Sequence, residues 1–405
     1  ITTRLVGSEM CIRDRYYNSM VFHFRIRRLD NMTPAKTRSS NIELLRILAM
    51  FMIIIFHISD HCVKVQLTDT ASMLRMNNGL FCEPVFYKKL LLLSTFAPMG
   101  KIGNVIFITI SGYFMVSKGN GINLAKISKK LLLQLGFAAV SLTLVSSFWY
   151  RMTDGVFLKL VNINKFNSMS WFVGYYFFIM VIAYLFLNKF LAKLDKQKYF
   201  TFLIVLFAFI QFRWTGSMAN SLANGLRTLL TGIFLYALGG FIHLYNPFGK
   251  IRTYCLYLII AVSFLFIYIS AYNVTQTNIQ TYFLNESKDI FIQKIPSFSD
   301  YSIIPILVGL SLFEIFRRIH IPCSRMINFV GASTFMVYLL HDNAFAYSLW
   351  NTQDWITLLY EHPYIYLFKH LRWAAATFLI GILFYIIYLC LGKALSKCRW
   401  LVMKE

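Results

Sequence analysis

Apolar runs approaching 20 residues recur between positions 41 and 391, and nothing else in the chain restricts its fold so strongly. A stretch of that length with few charges matches a helix crossing the hydrocarbon core of a bilayer. Ten runs are drawn, at 41–59, 102–117, 131–149, 171–188, 199–212, 228–243, 253–271, 301–316, 328–347 and 373–391. The interrupted stretch FYKKLLLLSTFAPM at 86–99 is expected to lie along the outer interface. Only 14% of the residues are charged, where soluble domains carry about 25%, so the chain lacks a water-facing surface. The expected fold is an all-α polytopic membrane protein of about ten transmembrane helices.

A formal net charge of +23 would suit nucleic acid if the basic residues shared one face. They fall instead in short clusters between apolar runs, which excludes that partner. The segments 118–130, 189–198, 244–252, 317–327 and 392–405 hold 17 Lys and Arg in 57 positions. The alternate segments 60–101, 150–170, 213–227, 272–300 and 348–372 hold 14 in 132. The denser set is expected at the cytoplasmic side. Both termini then lie in the cytoplasm, in a multi-pass protein of the cell membrane with lipid as its surroundings.

No internal repeat or Pro- or Ser-rich linker divides the chain. Residues 1–40 form an N-terminal segment, 41–391 one membrane domain and 392–405 a basic cytoplasmic tail. Within the first segment, LVGSEMCIRDR resembles a translated sequencing adapter, an artefact taken to cover about 17 residues, with the natural start at Met32. The seven cysteines show no CxxC or other metal-ligand spacing. Cys62 and Cys82 share one external loop in this reading, where they either pair or stand as two unpaired thiols, the more ordinary case.

Ionisable groups inside a bilayer cost several kcal/mol, so each is a functional candidate. Within the ten runs the acidic and basic residues are Glu43, Arg46, Glu314 and Asp342, and the histidines are His57, His243 and His341. Glu314 is expected to pair with Arg317 and Arg318 one turn away, and His243 ends its span. Glu43 precedes Arg46 by three residues and can orient the guanidinium. Arg46 and His57 are separated by eleven steps, which leaves them about 20° apart around a helix and about 16 Å apart along it. One face thus presents a fixed cation at the entrance and an imidazole inside, suiting a long ligand with an anionic head and a reactive tail. The ninth run carries His341, Asp342 and Asn343, placed to orient an acceptor or polarise His57. Ser111 beside Gly112 permits either close helix packing or a kink. Trp171 and Tyr175 suit an aromatic belt or a sugar site.

On these residues the chain resembles acyltransferase family 3, the integral-membrane acyltransferases that modify surface glycans, in its stand-alone bacterial branch. The resemblance rests on NIELLR followed by FH, then GKIGNVIFITISGYFM, LAKISKKLLLQLGF, SWFVGYYFFIMVIAYLFLNKFL and INFVGASTFMVYLLHDN, in that order over roughly 40–391. It implies that Arg46 and His57 are the essential pair, with His57 catalytic. Glu43 stands where relatives often carry Asp. A basic cluster commonly of arginine is here Lys126, Lys129 and Lys130, which keep the charge but not bidentate phosphate recognition.

The resemblance further implies O-acylation, most often O-acetylation, of a cell-surface or lipid-linked saccharide by acyl-CoA. Acyl-CoA, expected as acetyl-CoA, is then a co-substrate, with no bound cofactor and no metal, and glycan-assembly proteins are expected partners. Phosphates would lie near Arg46 and the three lysines. His57 would serve as general base or carry the acyl group transiently. The alternative is a polysaccharide exporter or proton-coupled transporter with the intramembrane histidine as relay.

Overall fold

The computed structural model describes residues 39–68, 84–152, 171–212, 220–285 and 297–402. The adapter-like segment, Cys82 and the end of the basic tail lie outside them. Every regular element among the described residues is helical.

The first helix, α1 (Ser40–Ile58), runs through a π-helical turn (Ser59–Val63) into α2 (Lys64–Thr68). Next come α3 (Pro84–Phe96), α4 (Met99–Met115) and α5 (Leu124–Met152). Helix α6 (Trp171–Ile182) continues through a second π-helical stretch (Ala183–Leu187) into α7 (Asn188–Leu191), and α8 (Lys196–Gln211) and α9 (Asn220–Tyr245) follow. The remainder is α10 (Thr253–Asn285), α11 (Ile303–Arg318), α12 (Arg325–His341), α13 (Ala344–Trp350), α14 (Trp355–Glu361) and α15 (Pro363–Val402).

With buried residues all round it, α1 has the character of a core helix. It packs against α4, α11, α12 and α15. Ile42, Leu45 and Ala49 join one core with Ile106, Ile110 and Phe313. Met50, Ile54 and Ile58 join another with Trp350, Trp355 and Tyr366. By contrast α5, α10 and α15 expose Leu144, Phe148, Phe266, Leu379 and Leu383, as lipid-facing helices do. Association in a bilayer relies on close packing, because lipid is as apolar as the side chains. At Gly112 of α4 that packing is extreme: a Cβ would lie 1.9 Å from the Tyr236 carbonyl oxygen of α9. The Ser111–Gly112 pair thus serves close helix approach.

Seven helices among the described residues are long and apolar enough to cross a bilayer: Ser40–Gln66, Leu91–Lys118, Leu124–Trp149, Trp171–Leu191, Gly225–Tyr245, Thr253–Asn273 and Pro363–Ser396. The expected fifth, eighth and ninth spans are α8, α11 and α12, of 16, 16 and 17 residues. At 1.5 Å per residue these reach about 24–26 Å, short of a hydrocarbon core about 30 Å thick. The first span is longer than its apolar run, because the helix continues past Ser59 with Asp60 and Lys64 paired across one turn. The stretch at 86–99 also departs from expectation. It is helical, buries Leu91 and Leu93, and its end belongs to the second long apolar helix.

Candidate active site

Arg46 and His57 each line a cavity bounded by the same helix. The Arg46 cavity, about 300 Å³, is mostly apolar, with Met50, Phe107, Val173 and Phe335 in its wall and Lys130, Ser111 and Thr334 among its polar groups. The His57 cavity, about 320 Å³, is the more polar of the two, with Asp60, His61, Lys101, Asn104, Asp342 and Tyr347 in its lining. Ile53, Phe172 and Tyr338 belong to both. Cation and imidazole therefore face adjoining chambers across a shared wall.

A break in the chain builds the His57 end. Helix α12 stops at His341, Asp342 leaves helical geometry, and Asn343 is extended. Irregular backbone at such a depth is tolerated where it lines a cavity, and here it turns the Asp342 carboxylate towards α1. Asp342 Oδ1 lies 3.7 Å from His57 Nδ1, within ion-pair reach but long for a hydrogen bond. The Tyr347 hydroxyl donates to the same carboxylate oxygen. His341 stacks on His57 with ring centroids 4.9 Å apart and planes 19° from parallel. Its Nδ1 sits 2.7 Å from the Tyr338 carbonyl oxygen. A carbonyl can only accept, so that nitrogen carries the proton. His61 meets His57 edge-on at 5.3 Å and stacks on Tyr347 at 4.3 Å.

At the other end, Arg46 Nη1 donates to Glu43 Oε1 at 3.3 Å, as the i,i+3 spacing predicts. The Arg46 side chain keeps 29% of its surface exposed. Gly331 of α12 lets α1 approach at this point, since a Cβ there would meet Glu43 Oε2 at 2.3 Å.

The remaining sequence candidates divide. Trp171 lines the His57 cavity, with Lys101 Nζ 5.7 Å from its ring centroid. Ser111 lines the Arg46 cavity, not the His57 side, and its hydroxyl donates to the Phe107 carbonyl. Tyr175 lines neither cavity; its hydroxyl donates to the Thr228 carbonyl. Asn343 is a cap, accepting from the Ala346 amide at 3.0 Å and donating to the Leu340 carbonyl. Lys126, Lys129 and Lys130 are exposed, and of the three Lys130 lines the Arg46 cavity. Glu314 is buried and paired with Arg317 at 2.8 Å and Arg318 at 2.7 Å, as expected.

Sequence reasoning missed His61, Lys101, Asn104, Tyr338, Tyr347 and Phe172. His61 carries a signal, the i+4 spacing from His57, but it lies two residues past the apolar run at 41–59. Donor atoms of His57, His61 and Asp342 lie within 4.8 Å of one another, so the histidines do offer a ligand set, one that a divalent ion could use after modest closure. Lys101 is tied to Asp300 at 3.1 Å, and Asn104 donates to the same carboxylate.

Comparison with known proteins bears on this geometry. A family model described as Acyltransferase domain matches residues 39–396. No curated protein and no solved structure matches the chain. The match spans both cavities, the whole of α1 and the α12 break, and the chain belongs to acyltransferase family 3, as a membrane-embedded acyltransferase.

Proposed function

We propose that the protein transfers an acyl group, most simply acetyl, from acyl-CoA to a hydroxyl of a cell-surface or lipid-linked saccharide. The observation that carries this reading is the pair of unlike cavities along one face of α1. The chamber at Arg46 is apolar with cations, which suits a pantetheine arm ending in phosphates. The chamber at His57 is the more polar of the two and holds Trp171, which suits a saccharide ring.

His57 is the general base. With Nδ1 beside Asp342, Nε2 takes the proton of the saccharide hydroxyl as its oxygen attacks the thioester carbonyl carbon. The carbon–sulfur bond then breaks. Sulfur leaves with the electron pair and recovers the proton from the imidazolium, so the products are an O-acyl ester and free CoA thiol. Asp342 steadies the imidazolium that forms between these steps. Arg46 and Lys130 hold the nucleotide phosphates, with Lys126 and Lys129 adding positive charge outside the cavity. His341 fixes the His57 ring by stacking. No metal takes part.

The reading also fixes a topology. Ten spans cross the cell membrane, with α8, α11 and α12 as short ones, and both termini are cytoplasmic. Residues 41–391 form the catalytic membrane domain. Arg46 then opens to the cytoplasm, where acyl-CoA is made, and His57 to the outer half of the bilayer, where glycans are assembled with their partner proteins.

The test is reconstituted protein given acetyl-CoA labelled in the acetyl group, together with membrane glycans. Label should enter glycan with wild type and not with His57→Ala. Translocation of an oligosaccharide without any acyl transfer would overturn the reading in favour of an exporter.

A further inference from the structure

The two chambers meet at one boundary. Their shared wall is made by Ile53 of α1, Phe172 of α6 and Tyr338 of α12, three residues from three helices. The rings of Phe172 and Tyr338 lie 5.7 Å apart between centroids and 56° from parallel, a contact distance for an aromatic pair. Ile53 is 4% exposed, and its branched side chain is stiff at χ1. Behind it stands α4, so close that a Cβ at Gly103 would meet Ile53 Cγ1 at 2.5 Å. Ile53 cannot retreat in that direction. It follows Arg46 by seven residues and precedes His57 by four, so it stands about 10 Å and about 6 Å from them along the helix. A donor anchored by its phosphates at Arg46 must bring its thioester through this point to reach His57.

We propose that Ile53, Phe172 and Tyr338 form a constriction that selects the donor by the length of its acyl group. The proposal rests on the donor and acceptor assignment given above. A short acyl group passes and presents its carbonyl to His57. Each further methylene must displace packed side chains backed by neighbouring helices, so longer groups are held short of the imidazole. Selectivity against one added methylene in such a pocket is on the order of 10-fold or more.

Membranes carrying the full chain, with their own glycans as acceptors, are given acetyl-, butyryl- or hexanoyl-CoA labelled in the acyl group. Label entering glycan gives kcat/KM for each. Wild type should prefer acetyl over butyryl by at least roughly 10-fold, and Phe172→Ala should raise the butyryl-to-acetyl ratio by a similar factor. Ile53→Val, which removes one methyl from the same wall, should raise the ratio in the same direction by a few-fold, and it decides the matter if Phe172→Ala fails to fold. Equal use of acetyl and hexanoyl by wild type would overturn the constriction. So would an unchanged ratio in Ile53→Val and in any folded Phe172→Ala, with acetyl transfer retained. Absence of label from every donor with wild type would instead bring down the acyltransfer reading on which the proposal rests.

Discussion

His57 draws its setting from three side chains: Asp342 beyond the end of α12, His341 stacked on its face, and His61 one turn along its own helix. Removing the imidazole should lower kcat by about 10²–10⁴-fold, the range for a positioned general base, while the protein still folds and binds donor. Asp342→Asn keeps the shape but loses the charge that steadies the imidazolium. It should cost kcat about 10-fold or more with KM for acyl-CoA nearly unchanged. Arg46 should behave in the opposite way. Arg46→Ala should raise KM for acyl-CoA more than it lowers kcat, and Arg46→Lys should recover only part of the loss, since lysine keeps the charge without the planar fork. Steady-state kinetics on the four proteins separates the two roles. His57, His61 and Asp342 could close around a divalent ion. An ion bound there would occupy the base, so the account predicts full activity after dialysis against a chelator, measured by acyl transfer.

Helices α1, α4, α11 and α12 hold these residues through contacts that are intolerant of change. Gly112→Val would drive a side chain into the Tyr236 carbonyl of α9. Overpacking of this kind typically costs about 1–3 kcal/mol and more where backbone must move, to be read as a lower melting temperature in detergent. Glu314→Ala should also destabilise, by about 1–3 kcal/mol, because Arg317 and Arg318 would lose the buried carboxylate that both contact. The pairings Glu43–Arg46 and Glu314 with two arginines were legible in the sequence, because i,i+3 and i,i+4 spacing on a helix is a local rule. Helix ends were not. Asp60 and His61 interrupt the apolar run and look like the start of a loop. The helix passes them because Lys64 pairs with Asp60 one turn on, and the site gains His61 as a result. Conversely, the apolar run at 328–347 looks continuous, yet the chain breaks at Asp342, and that break aims the carboxylate.

Across the whole molecule, the all-helical membrane architecture and the family were legible from run length, charge clustering and five ordered motifs. Membership is now shown by a match over residues 39–396. Span number was less legible, because α8, α11 and α12 are helices of 16, 16 and 17 residues, and an apolar run alone does not set where a helix begins and ends. The constriction was not legible at all. Ile53, Phe172 and Tyr338 are ordinary apolar and aromatic residues, and only packing brings three helices together there. Orientation gives a further prediction: Lys126→Cys should react with a membrane-impermeant thiol reagent from the cytoplasmic side alone, in a variant otherwise free of exposed cysteine. The central claim is that one donor molecule runs along α1 from Arg46 to His57, and an experimental structure with CoA bound tests it most directly. The pyrophosphate should lie at Arg46 and the thiol at the wall formed by Ile53, Phe172 and Tyr338, pointing to His57. A nucleotide seated in the His57 chamber, or a thiol directed away from that histidine, would contradict it.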